Sequence, residues 1–480
     1  MPRSGGEVEI AALRAPFVLL DDRSTGSALL YAEPIEVVEA EGLSEVPAAL
    51  ARIEAGLAAG LHAAGFLSYE LGYAFEPRLA PLLPEGRTLP LLWIGLFREA
   101  QALDAAALDR QFAGLAAPPP LDAVALGLDE AQHAAAVGHV LDYLRAGDAY
   151  QVNLTFPIRF RYGGDPLALY AALRASQPVA HGGIVATGAA TLLSVSPELF
   201  VETQGGDATT RPMKGTVARG ADAAGDAAAM AALRADPKQR AENLMIVDLL
   251  RNDLGRVSEI GSVAVPKLFS VETYPTLHTL TSEVTGRLRP GLSAGELLRA
   301  MFPCGSVTGA PKLRAMEIIR ELEPWPRDAY TGSIGAIAPN GDLRFNVAIR
   351  TATLLPDGRG VYGVGGGIVV DSDPASEFAE CRLKARVLTD LAEDYGLFET
   401  LLWSRGPGYR RLELHLGRLA SSAAELGFRF DREALRAQLA ECAGGFGEES
   451  EQRVRFELRR DGSVSIRHAP LPREAERTLT

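Results

Sequence analysis

GVYGVGGGIVVDSDPASEFAECRLKA, residues 360–385, carries two periodicities back to back. Its first half is a β-branched and glycine-rich apolar run, the pattern of a buried strand. Its second half opens with Asp373 and Pro374: an aspartate to cap the first free N–H groups of a helix, then a proline whose fixed φ suits the first turn. At about 100° per residue, Phe378, Cys381, Ala385, Leu388 and Leu391 fall on one stripe, as a core-facing helix requires. Glu377, Glu380 and Lys384 border that stripe, so their charges face inward.

A second segment, DPKQRAENLMIVDLL (236–250), starts with the same Asp-Pro pair and is apolar nearly all round after Glu242. It predicts a helix buried on most sides, with Glu242 near the buried part. An unpaired buried carboxylate is costly, so inward glutamates on two helices suggest a shared cation. Oxygen ligands with no His or Cys nearby favour Mg²⁺. Separate ion pairs, Glu380 with Lys384 or Arg386 and Glu242 with Arg240 or Arg251, satisfy the same spacing, and spacing alone does not choose between them.

Around these two segments the chain reads as a mixed α/β protein. Further strand signals are PFVLL (16–20), ALLYA (28–32), LLSVSPELFVET (192–203), GSIGAIAP (332–339) and RTATLL (350–355). An Ala-rich helix is expected over about 44–64 and another from Asp129 to Ala146, closed by Gly147. Ala117 and Pro118 to Pro120 mark a linker or crossover, which suggests parts at 1–120, 121–394 and 395–480. The 480 residues are 47% hydrophobic and long enough for two or three domains. No apolar run reaches the roughly 18 residues of a membrane span, and the start lacks a secretory signal, so a cytoplasmic location is expected. Cys304, Cys381 and Cys442 are too few and too scattered for a disulfide framework and read as small core residues. A net charge of −13, from 48 basic and 61 acidic residues, argues against nucleic acid or an anionic membrane as partner. Only five of the 48 basic residues are lysines: Lys214, Lys238, Lys267, Lys312 and Lys384. Where arginine can serve on any solvated surface, the remaining lysines are enriched at places that need a compact, titratable amine.

Segments in order from about Gly147 to Leu391 resemble the chorismate-utilising enzymes. They are GDAYQVNLTFPI (147–158), SVSPELFVE (194–202), RPMKGTVARG (211–220), DPKQRAENLMIVDLLRNDLGRV (236–257), PTLHTLTSEVTG (275–286), FPCGSVTGAPKLRAMEIIRELEP (302–324), YTGSIGAI (330–337), NVAIRTA (346–352) and 363–385 within the opening stretch. The resemblance implies a two-sheet β-sandwich flanked by helices, with Mg²⁺ held by Glu242 and Glu380 and, through water, by Glu377. The family's water-adding members carry a lysine base where this chain has Gln151, so water addition is disfavoured. At Lys214 its anthranilate synthases carry alanine and its aminodeoxychorismate synthases a nucleophilic lysine.

Exchange of the C4 hydroxyl of chorismate for an amine with retention needs two successive displacements. By resemblance Lys214 attacks the ring first and Glu198 protonates the leaving hydroxyl, which requires a carboxyl that holds its proton. A nucleophilic amine must be unprotonated, a state favoured by burial or nearby positive charge such as Arg211 or the metal. The resemblance further assigns the pyruvyl carboxylate to Tyr330, Arg350, Lys384 and the backbone N–H groups of Gly365 and Gly366. Gly215 and Thr216 flank the ring, and His278 is either close to it or a satisfied core histidine. GSVTGAPK lacks the spacing of a nucleotide-binding loop. No amidotransferase cysteine motif is present, so ammonia comes from a glutamine amidotransferase subunit or from solution. VLLDDRSTG (18–26) resembles a region that holds tryptophan in relatives; a structural role is expected here. An anthranilate synthase-like enzyme and a non-catalytic chorismate-binding homologue remain as alternatives.

Residues 396–428, GLFETLLWSRGPGYRRLELHLGRLASSAAELGF, resemble the start of class IV pyridoxal-phosphate enzymes such as aminodeoxychorismate lyase, with Arg418 at a phosphate-binding position. Those enzymes need a Schiff-base lysine, and none follows Lys384. The expectation is a small α+β appendage, a truncated lyase module without pyridoxal phosphate, with any lyase step left to a separate enzyme.

Overall fold

Both Asp-Pro signals start helices. In the computed structural model, which describes residues 9–220, 223–273, 277–392, 396–426, 428–446, 451–459 and 462–471, Asp236 caps Pro237–Gly255 and Asp373 caps Pro374–Thr389 through their side chains. Asp129 caps Glu130–Ala146, and Gly147 closes it at φ 83°, a left-handed conformation that favours glycine. The Ala-rich helix stops earlier than its composition suggests. It spans Val46–Ala58, the chain turns at Gly60, and His62–Leu67 is a strand buried from its second residue on. Burial against neighbouring strands overrides alanine's helix propensity there.

The chain divides into two units, Met1–Ala392 and Glu393–Thr480. In the first, two antiparallel sheets of ten strands each contain strands from both sides of the proline run at 118–120. Phe17–Asp22 pairs with His181–Ala186 in one sheet, and His62–Leu67 pairs with Ser333–Ile337 in the other. Val18, Tyr31, Val185 and Leu192 of the first sheet pack with Phe66, Trp93, Phe97 and Ile334 of the second, forming the layer between them. The outer face of the first sheet is covered by the helices Pro166–Ser176 and Pro374–Thr389, through Leu169, Leu173, Phe378, Cys381, Ala385 and Leu388. The outer face of the second is covered by Val46–Ala58, Pro237–Gly255 and Ala294–Met301. Alternate residues of one strand therefore serve two cores: Phe17 and Leu19 face the helices, Val18 the opposite sheet.

LLSVSPELFVET, one run in the sequence, is two strands in different sheets. Thr191–Ser196 belongs to the first sheet and Leu199–Gln204 to the second, and Pro197, unable to donate to a ladder, lies between them. The chain returns from Leu343–Asn346 in the second sheet to Thr351–Leu354 in the first through residues 347–350, where Arg350 adopts φ 50°. Glu198 and Arg350 thus each sit at a point where the chain changes sheet. In the VLLDDRSTG segment, Asp21 pairs with buried Arg174, and Asp22 accepts from Ser24 and Thr25 and pairs with Arg344. These acids are occupied by the protein's own partners, as a structural role requires.

The second unit is a four-stranded antiparallel sheet ordered Gly408–Tyr409, Leu397–Ser404, Glu451–Leu458, Val464–Pro470. The helices Leu412–Leu426 and Arg432–Gly444 close its core over Leu401, Val454 and Phe456. Among the described residues, no helix is long and apolar enough to cross a membrane.

Candidate active site

Glu198 and Lys214 meet at Ser306. Glu198 is 4% exposed, a consequence of its place at the sheet crossover, and its Oε1 has no hydrogen-bond partner. Burial raises its carboxyl above the ordinary carboxylate range; a hydrogen bond with Ser306 and the charge of Lys214 pull the other way without cancelling it. Lys214 lies in the strand Met213–Ala218, and its Nζ donates to the Ser306 carbonyl at 3.4 Å. Gly215, next in the chain, adopts φ 77° where the pairing with Leu277–Arg287 shifts register. Ser306 was not singled out in the sequence. Its segment resembles the family as a block, but a serine in a three-residue 3-10 turn carries no periodic signal.

Facing them is Gln151, fully buried, with neither amide atom paired. A Cβ on Gly367 would lie 2.8 Å from the Gln151 Nε2 and 3.4 Å from the Lys214 Nζ, so the bare Cα of Gly367 keeps the space between the two side chains open. Gly367→Ala is therefore expected to lower kcat/KM for chorismate by about tenfold or more while the protein stays folded; steady-state kinetics beside a melting curve checks this.

The glycine strand Arg359–Ile368 presents its backbone selectively. Asn153 and Thr155, opposite Gly367 and Gly365, send their N–H groups away from that strand, to the Thr308 carbonyl and to Glu323. By the alternation of an antiparallel ladder, Gly365 then points its own N–H and C=O outward, and its C=O accepts from the Lys384 Nζ at 2.7 Å. Among the described residues the neighbouring strand Thr351–Leu354 pairs only as far as Tyr362. Gly366, opposite Leu154, falls on the other phase of the ladder, so of the two glycines it is Gly365 that offers its N–H away from the partner strand. Gly366 instead approaches Glu377: a Cβ there would lie 3.2 Å from Oε2.

The acidic residues gather as their helices dictate. Glu242 is raised by burial and by the charges of Glu377 and Glu380, with Lys214 and Lys238 opposing. Glu377, buried, is raised by burial and accepts from the Ser372 hydroxyl at 2.7 Å. Glu380 is lowered by Lys384, to which it is paired at 2.8 Å, and its side chain is 55% exposed. The inward reading thus holds for Glu377, while Glu380 and Lys384 stand partly open and form one of the ion pairs the sequence allowed. Among the described residues no three His, Cys, Asp or Glu side chains are grouped to hold a metal by themselves. Glutamates brought together from two helices do suit Mg²⁺, which takes one or two protein carboxylates and completes its shell with substrate oxygens and water.

Of the remaining candidates, the Tyr330 ring lies directly over Gly363, whose missing side chain makes room for it, and burial raises its hydroxyl pKa. Arg350 donates to Gln177 Oε1 at 3.0 Å. His278 is fully buried with Nδ1 2.9 Å from Thr273 Oγ1 and Nε2 3.1 Å from Asp226 Oδ1. Both ring nitrogens are occupied, which is the satisfied-histidine arrangement. Thr216 is in the Lys214 strand, and its side chain lies outside the described residues.

Residues 15–390 match the profile of the chorismate binding enzymes. The chain belongs to this family. Residues 396–479 match that of the class IV amino-transferases. The chain is 41% identical over 336 residues to the aminodeoxychorismate synthase component 1 of Klebsiella aerogenes, covering 66% of this chain and 74% of that one. It is 45% identical to the Escherichia coli (strain K12) protein of the same name, over 50% of this chain and 53% of that one. It is also 42% identical to the anthranilate synthase component 1 of Streptomyces coelicolor, over 61% and 58%. In structure it is similar to anthranilate synthase component I of Streptococcus pneumoniae, with a TM-score of 0.65 at 27% identity, over 81% of this chain and 95% of that one. These likenesses carry the two-sheet architecture that the resemblance implied.

Proposed function

We propose that this chain converts chorismate and ammonia to 4-amino-4-deoxychorismate and water through a covalent adduct with Lys214. The observation that carries this is the convergence on Ser306 of the Lys214 Nζ and of buried Glu198, whose carboxyl burial raises above its ordinary value, near the Gln151 amide, which has no hydrogen-bond partner among the described residues. In the first step the neutral Nζ bonds to C2 of the ring, both double bonds of the conjugated diene shift (C1=C2 to C1=C6, C5=C6 to C4=C5), and the C4–O bond breaks as Glu198 gives its proton to the oxygen, which leaves as water. In the second, ammonia bonds to C4, both double bonds shift back, the C2–Nζ bond breaks to release neutral Lys214, and a proton from the new ammonium returns to Glu198. Gln151 supports amination over hydration, because an amide is no base for water. The Gly365 N–H, Tyr330 and Arg350 take the pyruvyl carboxylate, where a planar guanidinium can give two parallel bonds. Lys384, paired with Glu380 in the free protein, exchanges that partner for substrate.

Glu242 and Glu380 are the residues that would hold Mg²⁺, with Glu377 acting through water; the ion would supply a counter-charge for the ring carboxylate. Ammonia is expected from a glutamine amidotransferase subunit, in the cytoplasm. In the C-terminal unit, Arg418, at the position that resembles a phosphate ligand, is bound through two nitrogens to Glu399. With chorismate, Mg²⁺ and ammonium the purified chain is expected to form aminodeoxychorismate, which yields 4-aminobenzoate only when a lyase is added. Anthranilate or isochorismate as product, or no turnover, selects a rival reading.

A further inference from the structure

Ser306 sits in the 3-10 turn Gly305–Val307, a piece too short to hold its own position. What holds it is Arg327, whose side chain is 2% exposed. Its Nη1 donates to the Val307 carbonyl at 2.9 Å, one residue from Ser306, and its Nη2 to the Asn153 carbonyl at 2.7 Å, two residues from Gln151. Nε and Nη2 also bond both oxygens of Glu323, at 2.8 and 2.7 Å, and Nη1 reaches Thr331 Oγ1 at 3.4 Å. Glu323 in turn accepts from the Thr155 N–H at 2.8 Å and hydroxyl at 3.0 Å. The Arg327 N–H donates to buried Glu70, and the guanidinium lies 4.5 Å from the Tyr69 ring centroid. All five side-chain donors are used, in a fork that an ammonium with three donors cannot copy.

An ion pair serving only the core needs no backbone carbonyls from two separate elements. We propose that Arg327 is a positioning residue: by tying the Ser306 turn to the Gln151 strand, it fixes the spacing across which Glu198 and Lys214 act. Lys312 anchors the same loop from its other end, with Nζ 2.6 Å from Asp253 and 2.7 Å from the Met301 carbonyl. This assignment deepens the amination reading and rests on it for its kinetic consequence only.

Arg327→Lys keeps the charge and loses the fork. In the full chain it is expected to lower kcat about 100-fold with KM for chorismate changed less than about threefold, the signature of misplaced reacting groups. The basic limb of kcat is expected to move to higher pH, because Glu198 loses its Ser306 bond and holds its proton more tightly, with Lys214 and Cys304 its other titratable neighbours. Amide hydrogen exchange at 304–308 is expected to speed up while the sheets keep their protection. Glu323→Gln, which keeps the volume and the Thr155 contacts, is expected to show the same changes more weakly and covers the case in which Arg327→Lys does not fold. Unchanged protection at 304–308 in a folded variant overturns the proposal, as does a kcat loss that only tracks the folded fraction with the pH profile unmoved. The exchange measurement does not depend on the product formed, so failure of the amination reading shows separately, in the wild-type product.

Discussion

Lys214→Met is expected to lower ammonium-dependent turnover of chorismate by about 100-fold or more, a barrier increase of ~2.7 kcal/mol, and to remove any adduct detectable by mass spectrometry of the quenched enzyme. Methionine matches the length of the lysine stem but offers no nitrogen to form the C2 bond. Folding is expected to be little affected: Lys214 is only partly buried, and among the described residues its side chain's hydrogen bond is the long contact to the Ser306 carbonyl. Lys214→Arg is the sharper control. It restores a positive charge near Glu198 and Glu242, both of which feel Lys214, yet a guanidinium is not a nucleophile at neutral pH. Turnover within twofold of wild type in the methionine variant removes the covalent route. Recovery in the arginine variant shows that charge, and not bond formation, is what the site takes from this residue.

The scarcity of lysine made part of this site legible. Lys214 and Lys384 stand at the candidate site, and Lys238 adds to the field over Glu242, Glu377 and Glu380. Lys312 is spent on a buried pair with Asp253, so it is the loop's anchor, and Lys267 pairs with Glu283 at the surface. The Asp-Pro starts and the inward stripe were legible for a local reason: caps and 3.6-residue periodicity are written into a few adjacent positions. What was hidden depends on non-local pairing. The change of sheet at Pro197 cannot be told from one long strand until the partners are known. The separation of Gly365 from Gly366 follows from ladder phase, which is set by Thr155 and Glu323, residues more than 40 positions away from either glycine. Ser306 and Arg327 lie outside any periodic pattern, and their roles come from backbone carbonyls that face them only in the fold.

Glu198→Gln is expected to lower kcat by about 10²- to 10⁴-fold, the range for loss of a positioned general acid, and to flatten the basic limb of the pH profile. An acid catalyst works only while protonated, so activity falls as pH rises through its pKa. Because burial raises that pKa, the wild type keeps its proton to higher pH than an exposed glutamate does, and the limb reports it. The same shift has the opposite meaning for stability. A carboxyl whose folded pKa exceeds its unfolded value contributes stability that is fully present below the unfolded pKa and is lost as pH rises through the folded one. Glutamine carries no such penalty, so the variant is expected to melt at pH 7 at or above the wild-type temperature while its turnover collapses. A structural role predicts the reverse order, with the melting temperature falling and the surviving activity keeping the wild-type limb. The two measurements together therefore separate an acid held protonated for catalysis from a glutamate buried for packing.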